Sequence, residues 1–143
     1  MTKAILCAVD ISNGDLDVAV LERAAALAEM DGARLDVVTV TPDYGEGFVS
    51  SFFEPHHHEK VIEQAHEKLV ALCAATLGEE RNAQVRHVVA TGSAYQEILK
   101  TAESAGSDLI VIGAHKPDFK DYLLGPNAAR VVRHSHTSVY VVR

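Results

Sequence analysis

Lys3-Ala-Ile-Leu-Cys-Ala-Val-Asp10 and Asp108-Leu-Ile-Val-Ile-Gly113 are apolar at nearly every consecutive position. Runs that short and that uniformly apolar suit strands of a parallel sheet, buried on both faces. Around them, further strand-like runs alternate with segments whose apolar residues recur every three or four positions. Asn13-Gly14-Asp15 offers capping side chains, after which Val18, Leu21, Ala25 and Ala28 mark a helix that Asp31-Gly32 stops. Arg34-Leu-Asp-Val-Val-Thr-Val-Thr41 is rich in β-branched residues and ends at Pro42, which cannot donate to a ladder.

Residues 42–57 hold prolines, glycines and aromatics without a period, so they read as an unusually long loop at the end of strand two. From His57 to Leu77, the residues Val61, Ala65, Leu69, Leu72 and Cys73 mark one face of an amphipathic helix closed by Gly78. Gln84–Ala90 reads as strand three, and Gly92-Ser93 turns the chain. Ser93 with Gln96 makes a capping-box pattern ahead of Ile98, Leu99, Ala102 and Ala105. Strand four is Asp108–Gly113, followed by a glycine-flanked loop, a short helix from Asn127 to His134 and a last strand, Ser138–Arg143.

Five strands alternating with four helices predict an α/β fold, a doubly wound, mostly parallel five-stranded sheet with helices on both faces and right-handed crossovers. At 143 residues the chain has the length of one domain, 1–143. Sheets of this kind bind ligands beyond the carboxyl ends of their strands, where the strand order reverses. Asp10, the end of strand two and Gly113 should converge there.

Composition narrows the partners. Hydrophobic residues make up 48% and charged residues 23%, so the chain should fold throughout. A formal net charge of -7 without a run of lysines or arginines argues against a nucleic-acid partner. Only two cysteines occur, Cys7 and Cys73, which is no disulfide framework and fits a reducing cytoplasm. The amino terminus enters a strand almost at once and no apolar run is long enough to span a bilayer, so neither export nor a membrane partner is expected.

The segment from Gly113 to Asn127 leaves an apolar strand and re-enters a helix between two glycines twelve positions apart. Glycine backbone can take positive φ and approach a ligand closely, and free amides at a helix start can point at an anion. Neither Gly-x-Gly-x-x-Gly nor Gly-x-x-x-x-Gly-Lys-Ser/Thr is present, so the ordinary dinucleotide and P-loop fingerprints are missing. On spacing alone, the two glycines fit either a phosphate cradle or a plain turn and helix start.

Val9-Asp10 with Ser12 two residues on, Thr39-Val40, Ile112-Gly-Ala-His-Lys-Pro-Asp118 and Tyr122-Leu-Leu-Gly-Pro-Asn-Ala-Ala-Arg-Val-Val-Arg-His134 together resemble the universal stress protein family over essentially the full length. The likeness is greatest to its single-domain branch with a His-x-Pro loop and a Leu-Leu-Gly-x-Asn-Ala helix start. It implies an adenine nucleotide alpha hydrolase-like fold with Rossmann-like or flavodoxin-like layering. It also implies ATP or a related adenine nucleotide as ligand, with or without Mg²⁺ and with no intrinsic metal. Asp10, preceded by Ala8 and Val9, would face the ribose or adenine, and the backbone of Val40 would hold the base edge.

In the family's pattern a glycine is followed by two residues, a second glycine, nine residues, a third glycine and Ser or Thr. Gly113 matches the first and Gly125 the third. Lys116 stands in place of the second, and Pro126 replaces the hydroxyl residue. Pro126 removes a backbone N–H and a hydroxyl that would meet a phosphate, while Lys116 as a mobile cation and the Asn127 amide offset part of that loss. His115 is a candidate phosphate contact, with a partly exposed loop histidine as the favoured alternative.

His56-His57-His58 with His66 lacks the spacing of a metal motif and reads as a solvated loop-to-helix junction. Asp10, Lys116, Asp118 and Asp121 are the groups a phosphoryl-transfer reading would use, and none stands in a motif that compels catalysis. The terminal run Val139–Val142 would invite pairing as an exposed edge. The resemblance implies a homodimer through that strand, with Val139 and Val141 on one face. The resulting expectation is a dimeric stress sensor or regulator that binds an adenine nucleotide. A slow ATPase, autophosphorylating or nucleotidyl-transferring enzyme and a non-binding scaffold are the alternatives.

Overall fold

The computed structural model describes residues 2–12, 17–42, 57–114 and 126–143, the side chains of 57 and 58 excepted. In chain order the elements are β1 (Ala4–Ala8), α1 (Val18–Asp31), β2 (Arg34–Thr41), α2 (His57–Leu77), α3 (Glu79–Asn82), β3 (Arg86–Thr91), α4 (Ala94–Ala105), β4 (Leu109–Gly113), α5 (Pro126–His134) and β5 (Ser138–Val142). The five strands form one sheet in the order β3-β2-β1-β4-β5, every neighbouring pair parallel. The doubly wound α/β reading therefore holds, with the order reversing between β1 and β4.

Strand alternation divides the core into two layers. Ile5, Cys7 and Val9 face α1 and α2, packing with Leu21, Ala24, Leu69 and Cys73. Leu6 and Ala8 face α4 and α5, packing with Ile98, Ala102, Ala128 and Val131. Ile5, Leu6, Leu21, Leu69 and Ile110 are fully buried, and such side chains each contribute about 1.5–3 kcal/mol relative to exposure. Because both faces of β1 are covered, its sequence shows no polar alternation. α5 is further tied to α4 by the Arg130 guanidinium, 5.1 Å from the Tyr95 ring centre.

Local signals account for most boundaries, and several differ from expectation. β1 stops at Ala8, so Asp10 lies two residues beyond the strand on a turn. The Asn13-Gly14-Asp15 cap falls outside the described residues, and α1 instead follows Asp17. That helix does end at Gly32, whose φ of +62° lets the Ala33 amide reach the Ala28 carbonyl at 2.8 Å. Gly78 does not simply close α2: at φ +87° it becomes the N-cap of α3, with Glu79 and Glu80 in that helix's first turn. The capping box at Ser93 does not form. Ser93 caps α4 without a side-chain bond, and only its carbonyl accepts the Glu97 amide.

Asp108 pins the amino ends of β1 and β4 together. Its Oδ2 accepts the amides of Lys3 at 2.8 Å and Ala4 at 3.0 Å. Those two bonds hold its carboxyl below its ordinary pKa, and a depressed carboxylate supports the fold above the ordinary value and loses that support as pH falls. Asp108→Asn should accordingly flatten the acid limb of a melting-temperature profile recorded from pH 6 to pH 2. A limb as steep as that of the parent protein would refute the assignment.

Candidate functional site

Val9 and Asp10 leave β1 at the reversal point, between the carboxyl ends of β2 and β4. The Val38 carbonyl accepts the Val9 amide at 2.9 Å, while the Thr41 carbonyl on the other side of β2 accepts the Gly92 amide at 3.0 Å. Backbone orientation alternates along a strand, so Val40 shares the direction of Val38 and presents its peptide groups past the end of β1.

Asp10 is shaped by its own turn. Its Oδ1 accepts the Ser12 amide at 2.9 Å and the Ser12 hydroxyl at 2.5 Å. Its amide donates to Asp17 Oδ2 at 2.5 Å. Asp17 is itself buried, which anchors the turn to the start of α1.

These groups border a cleft of about 170 Å³ that Ala8, Val9, Asp10, Val40, Gly113, Pro126 and Asn127 line together. Seven residues chosen from three distant parts of the sequence thus meet at one place. His115, Lys116 and Gly125 lie outside the described residues. Gly113 belongs to β4 and is not among the glycines with positive φ, so its contribution is a side-chain-free strand end rather than a left-handed turn. α5 starts at Pro126, one residue before the predicted Asn127, as suits proline at a first helical position. Asn127 and Ala128 line the cleft from that first turn, where backbone amides have no partner within the helix.

Sequence reasoning missed Ala114, Ala128, Asp17, Val38, Ala94 and Ile98 around the same cleft. The last two are there because Gly92-Ser93 starts α4 directly above the carboxyl end of β3. The Gly92-Ser93 turn was the signal that could have located them.

Among the described residues lining the cleft there is no histidine, cysteine, lysine or arginine. His66 packs edge-on against His87 on the α2–β3 side, ring centres 6.2 Å apart, and His87 Nε2 lies 2.6 Å from Asn82 Oδ1. Burial, with His66 adding to it, lowers the His87 pKa. His134 lies against Tyr95. Burial raises the Cys7 thiol well above its ordinary pKa and Cys73 to about 11, so neither is poised as a thiolate nucleophile. A second cleft, of about 400 Å³, opens at the amino end of β2. Its cations are already engaged, Arg81 with Glu29 and Arg34 with Asp36. The smaller cleft has the convergent backbone groups and the switch-point position that ligand sites in such sheets use.

The model of the universal stress protein family matches residues 1–143. The chain belongs to that family. This universal stress protein is 32% identical to Universal stress protein G of Shigella flexneri over 151 residues, covering 100% of both. It is also 32% identical to Universal stress protein MJ0577 of Methanocaldococcus jannaschii over 92 residues, 64% of this chain and 56% of that one. The solved structure of MJ0577 superposes with a TM-score of 0.77 at 25% identity, covering 98% of this chain and 94% of that chain. A universal stress protein in complex with cAMP shares the fold at a TM-score of 0.72 and 17% identity, covering 99% and 97%. The Archaeoglobus fulgidus protein in complex with dAMP does so at 0.71 and 20%, covering 99% and 98%.

Proposed function

We propose that this universal stress protein binds an adenine nucleotide in the cleft between the carboxyl ends of β1 and β4, and acts as a dimeric cytoplasmic regulator rather than a fast enzyme. The observation that carries the reading is the meeting of Asp10, Val40, Gly113, Pro126 and Asn127 around one cleft at the switch point. Asp10 has a carboxylate suited to ribose hydroxyls, and the Val40 peptide groups suit a base edge. The first turn of α5 suits phosphate. Relatives of the same fold solved with cAMP and dAMP support an adenylate, and ATP, with Mg²⁺ carried on its phosphates, is the member that the family resemblance implies.

Mass spectrometry of whatever the purified protein releases, followed by calorimetry with AMP, ADP and ATP, tests this reading. Silence toward every adenylate would remove it and leave the scaffold alternative. Single-turnover assays with labelled ATP address the enzyme alternative, for which product at stoichiometric protein is the requirement. Regulation requires the ligand to favour one of two states. Hydrogen exchange that is unchanged at saturating nucleotide would discard that mechanism.

For the dimer, the support is that β5 is an edge of the sheet with Tyr140 exposed on it. The Val142 carbonyl accepts the Ala114 amide from the β4 side at 2.9 Å, so Val141 directs its peptide groups outward. Val141→Pro removes an outward amide while sparing the β4 ladder. It should convert a dimer to a monomer in sedimentation experiments without lowering helix content, and an unchanged dimer would move the interface elsewhere.

A further inference from the structure

We infer that the cleft of about 400 Å³ at the amino end of β2 is a second site, independent of the adenine cleft, and that it takes a free amino acid with a large apolar side chain.

The cleft has the size of small-molecule sites, about 300–1,000 Å³. Its walls come from two continuous stretches, 25–35 and 77–85, where the carboxyl ends of α1 and α2 meet the start of β2 and α3. Ala25, Ala28, Leu35, Leu77 and Val85 form its apolar part. Leu77 and Val85 pack against the α1–α2 core layer yet stay partly exposed, so an apolar ligand would cover them. The space is open at Gly32, where, apart from the chain neighbours, no atom lies within 4 Å of the point at which a side chain would begin.

Two opposite charges share the mouth. Arg81 on α3 donates to Glu29 on α1, and both side chains are exposed enough that their pairing contributes little. An α-amino acid carries the complementary charges on a single carbon. Its carboxylate fits the Arg81 guanidinium fork and its ammonium fits Glu29, so the four charges alternate in sign and none loses its partner. The carbonyl ends of α1 and α2, which finish at this cleft, favour the ammonium further. Gln84 adds a side-chain amide to the lining. Arg34 takes no part in recognition, because Asp36 and the Ala105 carbonyl hold its guanidinium.

The test is an amide-resolved NMR titration of the full chain with L-phenylalanine, glycine, phenethylamine and 3-phenylpropanoate. L-Phenylalanine should shift amides within 25–35 and 77–85 in a saturable way. Glycine, with the same two charges and no side chain, should not. Phenethylamine lacks the carboxylate and 3-phenylpropanoate the ammonium, and each should bind about fivefold more weakly, the upper end for an exposed ion pair. Arg81→Gln should weaken L-phenylalanine by the same factor without weakening phenethylamine. Glu29→Gln should weaken L-phenylalanine without weakening 3-phenylpropanoate.

No saturable shift with L-phenylalanine, or shifts confined to Asp10, Val40 and Asn127, would overturn the inference. Single-charge analogues binding as tightly as L-phenylalanine would do the same, as would full affinity in both variants. Amides of the two stretches that respond to protein concentration alone would make the occupant a second copy of this chain and reject the amino acid. The ligand series on the unmodified protein decides the matter even if a variant folds poorly.

Discussion

Arg34→Ala is expected to lower the free energy of unfolding by about 2–4 kcal/mol, a cost set by the carboxylate it leaves behind rather than by the arginine it removes. Asp36 sits on β2, an interior strand of the sheet, and has no solvent exposure. Its Oδ2 accepts from Arg34 Nε and lies near Nη2, both at 3.2 Å, and its Oδ1 is buried without a hydrogen-bond partner. Nη2 also donates to the Ala105 carbonyl at 2.5 Å, tying β2 to the end of α4. Losing a partner from a fully buried pair costs about 3–5 kcal/mol, and the lower figure here allows for an Arg34 side chain that is half exposed.

Asp36→Val in the Arg34→Ala background should recover most of the loss, because an apolar side chain of similar size needs no partner in an otherwise apolar layer. Urea titrations of the two single variants and the double variant measure the coupling. Additive effects would show that the two side chains do not depend on each other.

Asp10→Ala should weaken adenylate binding by at least about 100-fold, equivalent to about 2.7 kcal/mol. Two losses combine: the carboxylate offered to the ribose and the acceptor that shapes the Asp10–Ser12 turn. Asp10→Asn keeps an oxygen for Ser12 and removes only the charge, so it should retain more affinity. The calorimetric pair separates ligand contact from turn geometry. Equal affinities for all three proteins would place the ligand somewhere other than beside Asp10. Because Asp10 is exposed and its strand has already ended, the melting temperature should move little compared with Arg34→Ala.

What could be read from the chain depended on whether a signal was local or long-range. The uniform apolarity of β1 and β4 revealed burial on both faces, since a strand between two helical layers has no solvent side. Gly32 stopped α1 because it takes a positive φ that other residues resist. By contrast, Ser93 and Gln96 had the composition of a capping box without its bonds, as hydrogen-bond partners are chosen among all nearby groups and not by spacing. The four-residue α3 escaped notice because one turn has no hydrophobic period to detect.

The same division holds at the cleft. By itself the sequence determined which residues lie near the ends of elements: Asp10 just past an apolar run, Val40 near the stop at Pro42, Gly113 before a break and Pro126 beside a helix start, all through local backbone chemistry. Only the tertiary structure decided that they border one cleft, that Asp17 shares its wall and that the Val9, Asp10 and Ala114 amides are already taken. The physical reason is that strand order and hydrogen-bond partnership join segments about a hundred residues apart, and no local propensity carries that information.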